Sequence, residues 1–555
     1  MNTDRPVRIF VSFAAADRKE KDRLLSHLLP LRDQGLVEPW EDCQFQSIDK
    51  WDFEIQKQIE SADLVILLVT PEYLRSRFRF RDAMQSALDR HESGKAKVLP
   101  VRVRPCDFDS TRLATLPAVP DGSKWVSHFR PRHDGFYDVA VEILGVLESW
   151  DRTTGSWIAS NGVQTTAGES SNSRAEILTD RFKKECPKRI LSIDGGGVRG
   201  AIACGYIRQI EETLQKQHQN PRLRLCDYFD LIGGTSTGAI IAAMLATGRS
   251  AAYVQTLYSM LAKKVFSQKR RIWGRLKFCY DKKALEAALL KEFRETTLGD
   301  TSKLKTGLCI VARRADTGST WPLINHPNGK FYDDNKDILL RTAVRASTAA
   351  PTYFKPELID VGDKQQAAMI DGGVSTANSP ALKLFQVATL KGFPFRWSTG
   401  EDKLLLVSLG TGRWRERHEL RRIVDCWLWD WGKHIPAMIM SDAVLQNHLM
   451  LQYLSRSPTA SQIDLEVGNL NDDLLAPEPL LHYLRYNVSL EHSPADGDNS
   501  LTLSKLGLTE KDGFHPEELR DLDRGSNTPQ LLEVGNAAAR EGVEADHFPA
   551  VFKVT

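Results

Sequence analysis

The 555-residue sequence predicts an α/β protein with two domains, and three observations support this prediction. Strand and helix patterns alternate through the first 150 residues, as in a parallel sheet covered by helices. The stretch from Thr153 to Arg174 is rich in Ser, Thr, Gly and Asn and lacks periodicity, which is typical of a linker. Beyond it, two apolar strands each lead through a glycine-rich turn into a helix. We therefore expect domains at residues 1–150 and 188–555, with a linker at 151–187.

The first domain is predicted from strands and helices that follow one another along the chain. The strand patterns are RIFVSFA, LVEPW, DLVILLVT and KVLPVRV, and the helix patterns are ADRKEKDRLLSHLLPLRDQG, WDFEIQKQIESA and RFRDAMQSALDRHESG. The first helix ends at Gly35, because glycine commonly follows the last helical turn. This alternation predicts a flavodoxin-like, doubly wound domain whose parallel sheet we expect to have five strands.

A serine lies between glycines at the start of an apolar helix in the second domain. Gly234, Ser236 and Gly238 fit the pattern G-x-S-x-G, between a strand at Tyr228–Ile232 and a helix at Ala239–Thr247. A serine on such a turn exposes its hydroxyl near the positive end of the helix, so Ser236 is a candidate nucleophile. The alternative is a simple Gly/Ser turn with no chemical role.

A glycine run in the preceding strand–turn–helix unit is a candidate oxyanion site. Gly195, Gly196 and Gly197 lie between a strand at Arg189–Ile193 and a helix from Ala201. Such a run offers backbone N–H groups to an anion at a helix start. The rival interpretation is a dinucleotide-binding loop, because Gly195, Gly197 and Gly200 match G-x-G-x-x-G. The acidic residues that follow, Glu211 and Glu212, lie inside a helix rather than after a second strand, so we favour the oxyanion site.

The base is predicted to be an aspartate rather than a histidine. None of the histidines that follow Ser236 lies in a recognisable catalytic setting. Asp371, Gly372 and Gly373 instead form a turn after a short strand at Ala367–Ile370. A carboxylate at a strand end can reach the turn of a neighbouring strand, although an Asp-Gly-Gly turn alone is more often structural.

The order D-G-G-G-x-R-G, G-x-S-x-G and D-G-G resembles the patatin-like phospholipases. The segments RASTAAPTYFKP and LLLVSLGTG also look like this family, and the resemblance runs from about Pro187 to the end of the sequence. It implies an α/β hydrolase fold and a Ser236–Asp371 dyad that cleaves membrane phospholipid esters without metal or cofactor. The motif residues that would support the dyad are Asp194, Arg199, Gly200, Gly234, Gly238, Gly372 and Gly373.

The same resemblance implies a role for each part of the site. Ser236 would attack the ester carbonyl, and Asp371 would accept its proton. The N–H groups of Gly195, Gly196 and Gly197 would hold the oxyanion. Arg199 would support that loop or meet a phosphate, and the alternative is a solvated residue at the helix start.

The first domain resembles a TIR domain of the bacterial kind over Arg8 to Leu147. The resemblance rests on the opening strand with Ser12 and Asp17, on EDCQFQSIDKW and on ALDRHESGKAKVLPVRVRPCDF. It implies a homo-oligomer formed through this domain, with the loop Cys43–Lys50 as the assembly surface and a nucleotide second messenger as a possible class of activator.

Some TIR domains cleave NAD with a glutamate on the third helix. The matching position here is Ala83, with Asp82 one residue away and turned about 100° around the helix. We therefore expect sensing and assembly from this domain. The alternatives are a TIR-mediated NAD glycohydrolase and a signalling scaffold that has the hydrolase domain as its partner.

Composition narrows the classes of partner and location. A net charge of +2 argues against a nucleic-acid binder, and eight scattered cysteines favour a reducing cytoplasm. No signal region or run of about 18–20 apolar residues is visible, so we expect the enzyme to act peripherally at the inner membrane. QKRRIWGRLKF and WLWDWGKHIPAMIM suit an interface, although core tryptophans and a solvated basic helix fit as well. Such fusions resemble bacterial anti-phage defence effectors.

Overall fold

The structure is a computed structural model whose chain divides into two compact units, residues 1–168 and 169–555. It describes residues 5–39, 57–76, 81–122, 124–130, 132–152, 154–158, 171–266, 282–351, 353–362, 365–415, 424, 428–493 and 500–554.

The first unit is built on a parallel sheet. Its strands are β1 (Val7–Ser12), β2 (Val37–Pro39), β3 (Leu64–Val69) and β4 (Lys97–Arg102), in the order β2-β1-β3-β4. Its helices are α1 (Arg18–Asp33), α2 (Pro71–Ser76), α3 (Arg81–Glu92) and α4 (Arg132–Leu147). Every residue of β3 is buried, which explains its unbroken apolar sequence, because a central parallel strand is covered on both faces.

The described residues of this sheet contain four strands, whereas the sequence predicted five. Among the described residues beyond β4, this sheet is continued by a single parallel bridge, between Val101 and Val119. Prolines at positions 117 and 120 flank that bridge, and proline cannot donate to a strand ladder. Where the fifth strand was expected, the described chain forms one bridged residue pair instead of a strand.

Both ends of the predicted linker belong to folded units. A short hairpin of β5 (Trp150–Asp151) and β6 (Ser156–Trp157) pairs its two tryptophans edge to face at 4.9 Å. Trp157 is buried and donates to the carbonyl of Asp63, so the first unit extends at least to this residue. Residues 171–183, also predicted as linker, form a helix. Its serine-rich start is typical of a linker, so the sequence did not predict the apolar side of this helix, on which Leu178 and Phe182 are buried.

The second unit is built on an eight-stranded mixed sheet. Its strands are β7 (Lys188–Ile193), β8 (Leu231–Thr235), β9 (Gly307–Arg314), β10 (Thr320–Ile324), β11 (Glu357–Asp360), β12 (Gln366–Asp371), β13 (Leu404–Leu409) and β14 (His482–Tyr486). The order is β11-β12-β9-β8-β7-β13-β14, with β10 also pairing with β9. Five neighbouring strands of this sheet, β9, β8, β7, β13 and β14, are parallel to one another. β10 and β12 each pair antiparallel with β9, and β11 pairs antiparallel with β12.

Helices surround this sheet. The main ones are α5 (Ser171–Lys183), α6 (Gly200–Gln217), α7 (Leu225–Tyr228), α8 (Thr237–Ala246), α9 (Ala251–Phe266), α10 (Lys282–Phe293), α11 (Tyr332–Asn335), α12 (Leu340–Ser347), α13 (Ala381–Thr389), α14 (Leu428–Tyr453), α15 (Pro516–Leu519) and α16 (Thr528–Gly542). Within the described residues, no helix is both long and apolar enough to cross a membrane.

The strand predicted at Tyr228–Ile232 begins later than expected. Residues 225–228 form the short helix α7, and the strand runs from Leu231 to Thr235. Its last residues, Gly233 to Thr235, were assigned to the turn because small residues are weak strand formers. They are strand here because Gly233 and Gly234 pair with both β7 and β9, and Thr235 pairs with β9.

Candidate active site

Ser236 occupies a tight turn between β8 and α8, as the glycine spacing predicts. Its backbone has φ 55° and ψ −124°, a left-handed conformation that costs a non-glycine residue about 1–3 kcal/mol. A Cβ at Gly238 would lie 2.3 Å from the carbonyl oxygen of Ile193, and one at Gly234 would lie 2.2 Å from Gly238. Both glycines are therefore required by the close approach of α8 to the strands.

Ser236 and Asp371 form a direct hydrogen bond. Ser236 Oγ donates to Asp371 Oδ2 at 2.6 Å, and Asp371 Oδ1 accepts the N–H of Gly373 at 2.7 Å. The two side chains meet because β9 pairs with both β8 and β12. Its residue Ala312 pairs with Asp371 at the end of β12. The neighbouring Val311 pairs with Thr235, which directly precedes Ser236. In the described part of the chain, no histidine hydrogen-bonds to either residue.

The environment of Asp371 makes it a stronger base than an ordinary carboxylate. Burial raises the pKa of Asp371 to about 6, while its hydrogen bonds from Ser236 and Gly373 and the charge of Arg345 lower it. The group therefore stays ionised at neutral pH and yet binds a proton more readily than a solvated aspartate does. The two glycines beside it are needed for packing, since a Cβ at Gly372 would lie 2.5 Å from Val311 O and one at Gly373 2.9 Å from Asn378 Oδ1.

The glycine loop lies against the nucleophile but offers fewer donors than predicted. A Cβ at Gly195 would lie 3.3 Å from Ser236 Cβ, which places the loop beside the reacting hydroxyl. The N–H of Gly195 already donates to the carbonyl of Asn378 at 2.9 Å, so it is less available as an oxyanion donor than the sequence predicted. The N–H groups of Gly196 and Gly197 have no partner among the described residues.

A buried ion pair that sequence reasoning did not find supports this loop. Arg485 on β14 donates to both oxygens of Asp194, at 3.1 and 2.7 Å, and both side chains are buried. The only signal in the sequence was an arginine inside the apolar strand HYLRY. Because Asp194 precedes Gly195 directly, the pair fixes the start of the glycine loop.

Two further contacts hold the other end of the loop. The Tyr258 hydroxyl donates to the carbonyl of Gly197, and the N–H of Val198 donates to the carbonyl of Leu522 at 2.9 Å. Gly197 has φ +56°, and a Cβ there would lie 2.1 Å from Leu522 O. A Cβ at Gly200 would lie 2.4 Å from the Tyr258 hydroxyl, which explains this glycine of the motif.

Arg199 is buried, so the interpretation of a solvated helix-start residue is wrong. Its side chain is 8% exposed, and its guanidinium lies 4.6 Å from the ring centre of Trp414. Burial lowers the pKa of Arg199 to about 10, which leaves it charged at neutral pH. Its Nε and Nη1 atoms have no hydrogen-bond partner in the described parts of the chain.

The two sequence-predicted residues of the first domain lie at the carboxyl ends of its strands. Asp17 is buried, accepts the Thr70 hydroxyl at 2.6 Å and pairs with Arg104. The Ser12 hydroxyl bonds to that of Tyr73 at 2.9 Å. The loop Cys43–Lys50 and the side chains of Asp82 and Ala83 lie outside the described residues, as do Gln268–Phe278 and most side chains of Trp427–Met440.

Comparison with known proteins divides the chain in the same way. A family model of the TIR domain matches residues 9–136, and one of the patatin-like phospholipases matches residues 191–385. Patatin-17 of Solanum cardiophyllum is 32% identical over 239 residues, which are 40% of this chain and 60% of that protein. Patatin-07 of Solanum tuberosum is 29% identical over 375 residues, which are 64% of this chain and 85% of that protein.

Two solved structures have a weaker likeness. VipD from Legionella pneumophila is 14% identical with a TM-score of 0.27, over 63% of this chain and 67% of that one. The structure of full-length ExoU in complex with full-length SpcU, from Pseudomonas aeruginosa, matches at 13% identity with a TM-score of 0.20. The match covers 48% of this chain and 56% of that chain. Likenesses this weak say nothing about fold or function.

Each matched region lies within one of the two compact units, and the second unit contains all three motifs at one site. The chain therefore joins an N-terminal TIR domain to a patatin-like phospholipase domain.

Proposed function

We propose that the second domain hydrolyses the acyl esters of membrane phospholipids with Ser236 as nucleophile and Asp371 as base. The observation that carries this proposal is the 2.6 Å hydrogen bond from Ser236 Oγ to Asp371 Oδ2. Serine is a weak nucleophile until a neighbouring group accepts its proton, and this carboxylate is placed to do so. The patatin relatives support the class of reaction.

The reaction has two halves. Ser236 Oγ attacks the ester carbonyl carbon while its proton passes to Asp371, and the N–H groups of Gly196 and Gly197 stabilise the oxyanion. The intermediate collapses, the C–O bond to the glycerol breaks, and Asp371 returns the proton to the departing alcohol. Water then attacks the acyl-enzyme with Asp371 again as base, which releases the fatty acid and restores Ser236.

Arg199 supports a preference for an anionic substrate. It is charged, it lies two residues after Gly197, and two of its donor atoms lack a partner among the described residues. A phosphate of the lipid head group would supply charge-assisted hydrogen bonds to those donors.

The helix α14 supports peripheral contact with a lipid surface. Ile435, Met438 and Ile439 are exposed on it, at a spacing that places them along one side of the helix. Further along α14, Asn447 donates to the carbonyls of Thr376 and Ser379, in the segment that follows the Asp371 turn. The apolar side chains thus extend from an element that is attached to the active-site turn, as an interfacial helix requires.

We assign sensing and assembly to the TIR domain. In this proposal a signal, with a nucleotide second messenger as the class we favour, drives the domains into a homo-oligomer and activates the hydrolase. The biological role we infer is that of an anti-phage effector that damages the membrane. The fusion of the two matched domains in one chain supports this arrangement.

The dyad is tested with single and double variants. Ser236→Ala and Asp371→Ala should each lower hydrolysis of phosphatidylglycerol vesicles and of p-nitrophenyl butyrate by at least about 10³-fold, and the double variant should be no worse than either. Ser192→Ala is the matched control, because this buried serine on β7 has no described hydrogen-bond partner. Normal turnover by Ser236→Ala would overturn the proposal.

A further inference from the structure

A buried serine in the segment RASTAAPTYFKP, to which the sequence assigned no role, contacts the backbone of Ser236. The N–H of Ser236 donates to Ser347 Oγ at 2.9 Å, and the Ser347 hydroxyl donates to the carbonyl of Val311 at 2.6 Å. Ser347 is the last residue of α12 and is completely buried. The hydroxyl proton and a lone pair are both engaged, so its orientation is fixed.

The segment that begins at Ser347 holds the base as well. Two residues further on, the carbonyl of Ala349 accepts the N–H of Asp371 at 3.1 Å. Val311, which accepts the Ser347 hydroxyl, lies on β9, the strand between β8 and β12. Ser347 and Ala349 therefore contact the backbones of both members of the dyad and of the strand that separates them.

The contact at Ser236 matters because of its backbone conformation. A non-glycine residue with φ 55° persists only where the surrounding structure over-determines it. The hydrogen bond to Ser347 Oγ restricts the orientation of the Ser236 N–H. If this N–H were released, rotation of the turn would swing Ser236 Oγ away from Asp371 Oδ2.

We propose that Ser347 is a positioning residue, which holds the Ser236 turn in its strained conformation and thereby sets the distance from nucleophile to base. This inference rests on the proposed function, in which Ser236 is the nucleophile. The Ser347 hydroxyl is buried and fully engaged, so it makes no contact with substrate. It acts through Ser236 on the chemical step and leaves substrate binding unchanged.

The test compares two neighbouring buried hydroxyls in the full-length protein. Thr348 is the matched control, because its hydroxyl is buried and donates to the carbonyl of Arg345 within the same helical segment. The readouts are kcat and KM for p-nitrophenyl butyrate, and the rate at which a fluorophosphonate inactivates the protein as Ser236 Oγ displaces fluoride from phosphorus.

Ser347→Ala should lower kcat and the inactivation rate by the same factor, about 10- to 100-fold, because small displacements of a nucleophile are costly. Its KM should stay within about twofold, as expected when only the chemical step is affected. Thr348→Ala should leave all three quantities unchanged. Ser347→Cys fills the same space with a weak hydrogen-bonding group and should lose kcat similarly, which keeps the test valid where Ser347→Ala fails to fold.

Unchanged kcat in Ser347→Ala or Ser347→Cys would overturn the inference. So would equal losses in Ser347→Ala and Thr348→Ala, since these would mark a general weakening of the segment. Failure of the proposed function has a different signature: Ser236→Ala would keep its activity, and the fluorophosphonate would not label Ser236.

Discussion

Burial and hydrogen bonding together give Asp371 the properties that its proposed role as the base requires. Its side chain is 4% exposed, and each of its two oxygens accepts one hydrogen bond within the site. Burial alone would favour the protonated acid, while the two donors favour the carboxylate. The balance leaves a group that is ionised at neutral pH without a histidine between it and the serine.

The pH dependence of hydrolysis should follow this carboxylate. Asp371 accepts the proton only when ionised, and its pKa is raised to about 6. We expect kcat/KM to be level above about pH 7 and to fall about tenfold per pH unit well below pH 6. Initial rates on p-nitrophenyl butyrate between pH 4 and 9 would measure this. An acid limb near pH 4 would show that Asp371 is better solvated than its burial indicates.

The raised pKa also has a consequence for stability. Asp371 binds a proton more tightly in the folded state than in the unfolded state, where its pKa is near 3.8. Its favourable contribution is therefore complete below about pH 4 and is lost as the pH rises through 6. At pH 8 the ionised side chain destabilises the fold by on the order of 2–4 kcal/mol.

Asp371→Asn should therefore be inactive and yet more stable than the wild type at pH 8, by about 1–2 kcal/mol after the loss of one acceptor. The difference should shrink at pH 5, where the wild-type carboxyl is largely protonated. Urea denaturation of both proteins at the two pH values measures it. Equal stability at both values would contradict the raised pKa.

The sequence predicted Ser236 and Asp371, the residues that we propose to react, but not the contacts that hold the site in place. Ser236, Asp371 and the glycines stand in short motifs whose spacing is set by a turn, so they are visible locally. Arg485 is 291 residues from the aspartate it pairs with, and Ser347 is 111 residues from Ser236. Only the sheet brings these pairs together. Ser347 stands in the family-like segment RASTAAPTYFKP, but no local pattern shows which residue its hydroxyl contacts.

At the scale of the element, the approach of α8 to β7 decides where the nucleophile lies. A Cβ at Gly238 would lie 2.3 Å from Ile193 O and 2.7 Å from Asp194 O, which are backbone atoms that cannot rotate away. A methyl group there must push the helix from the strand. Because Ser236 caps that helix, the shift would move its hydroxyl relative to Asp371.

Gly238→Ala should therefore lower stability by about 1–3 kcal/mol and hydrolysis by about 100-fold or more. Gly392→Ala is the control, because a Cβ at Gly392 has no atom within 4 Å, and its stability should change by less than about 0.5 kcal/mol. Thermal denaturation and ester hydrolysis of both variants test this. Full activity in Gly238→Ala would show that the Ser236 turn keeps its geometry when α8 lies further from β7.

Element boundaries were predictable where apolar periodicity was strong. The helix predicted from Ala201 begins at Gly200, and the helix predicted to end at Gly35 ends at Asp33. Prediction was wrong where composition was polar or small, as in the helix Ser171–Lys183 and at the end of β8. In both places burial by distant residues outweighed local propensity.

At the scale of the whole molecule, the two compact units should be separable. The first unit needs its tryptophan hairpin, so a fragment should run to Ile158 rather than stop at Trp150. The second needs its first helix, because Arg181 pairs with Asp230 at 3.1 Å. Deletion of residues 1–158 should leave hydrolysis of p-nitrophenyl butyrate intact and abolish activation by the cellular signal. Loss of soluble ester hydrolysis in that fragment would show that the hydrolase needs the TIR domain to fold or to react.

The isolated fragment 1–158 should not consume NAD, even when concentrated. Cleavage of the glycosidic bond develops positive charge that a carboxylate must stabilise, and alanine stands at the expected position 83. Mass spectrometry of NAD over time measures this, with full-length Asp82→Ala as the comparison. NAD turnover that disappears in Asp82→Ala would show that the domain has its own active site.

The bond from Val198 N–H to Leu522 O also bears on how the protein is made. The glycine loop lies near residue 197, while the carbonyl that fixes it lies more than 300 residues later. At about 5–20 residues per second, the ribosome needs roughly tens of seconds to synthesise the chain between them. A nascent chain therefore contains Ser236 and Asp371 before Leu522 has been synthesised to accept the hydrogen bond from the glycine loop. Interrupted translation products that stop short of Leu522 would lack this hydrogen bond to the glycine loop.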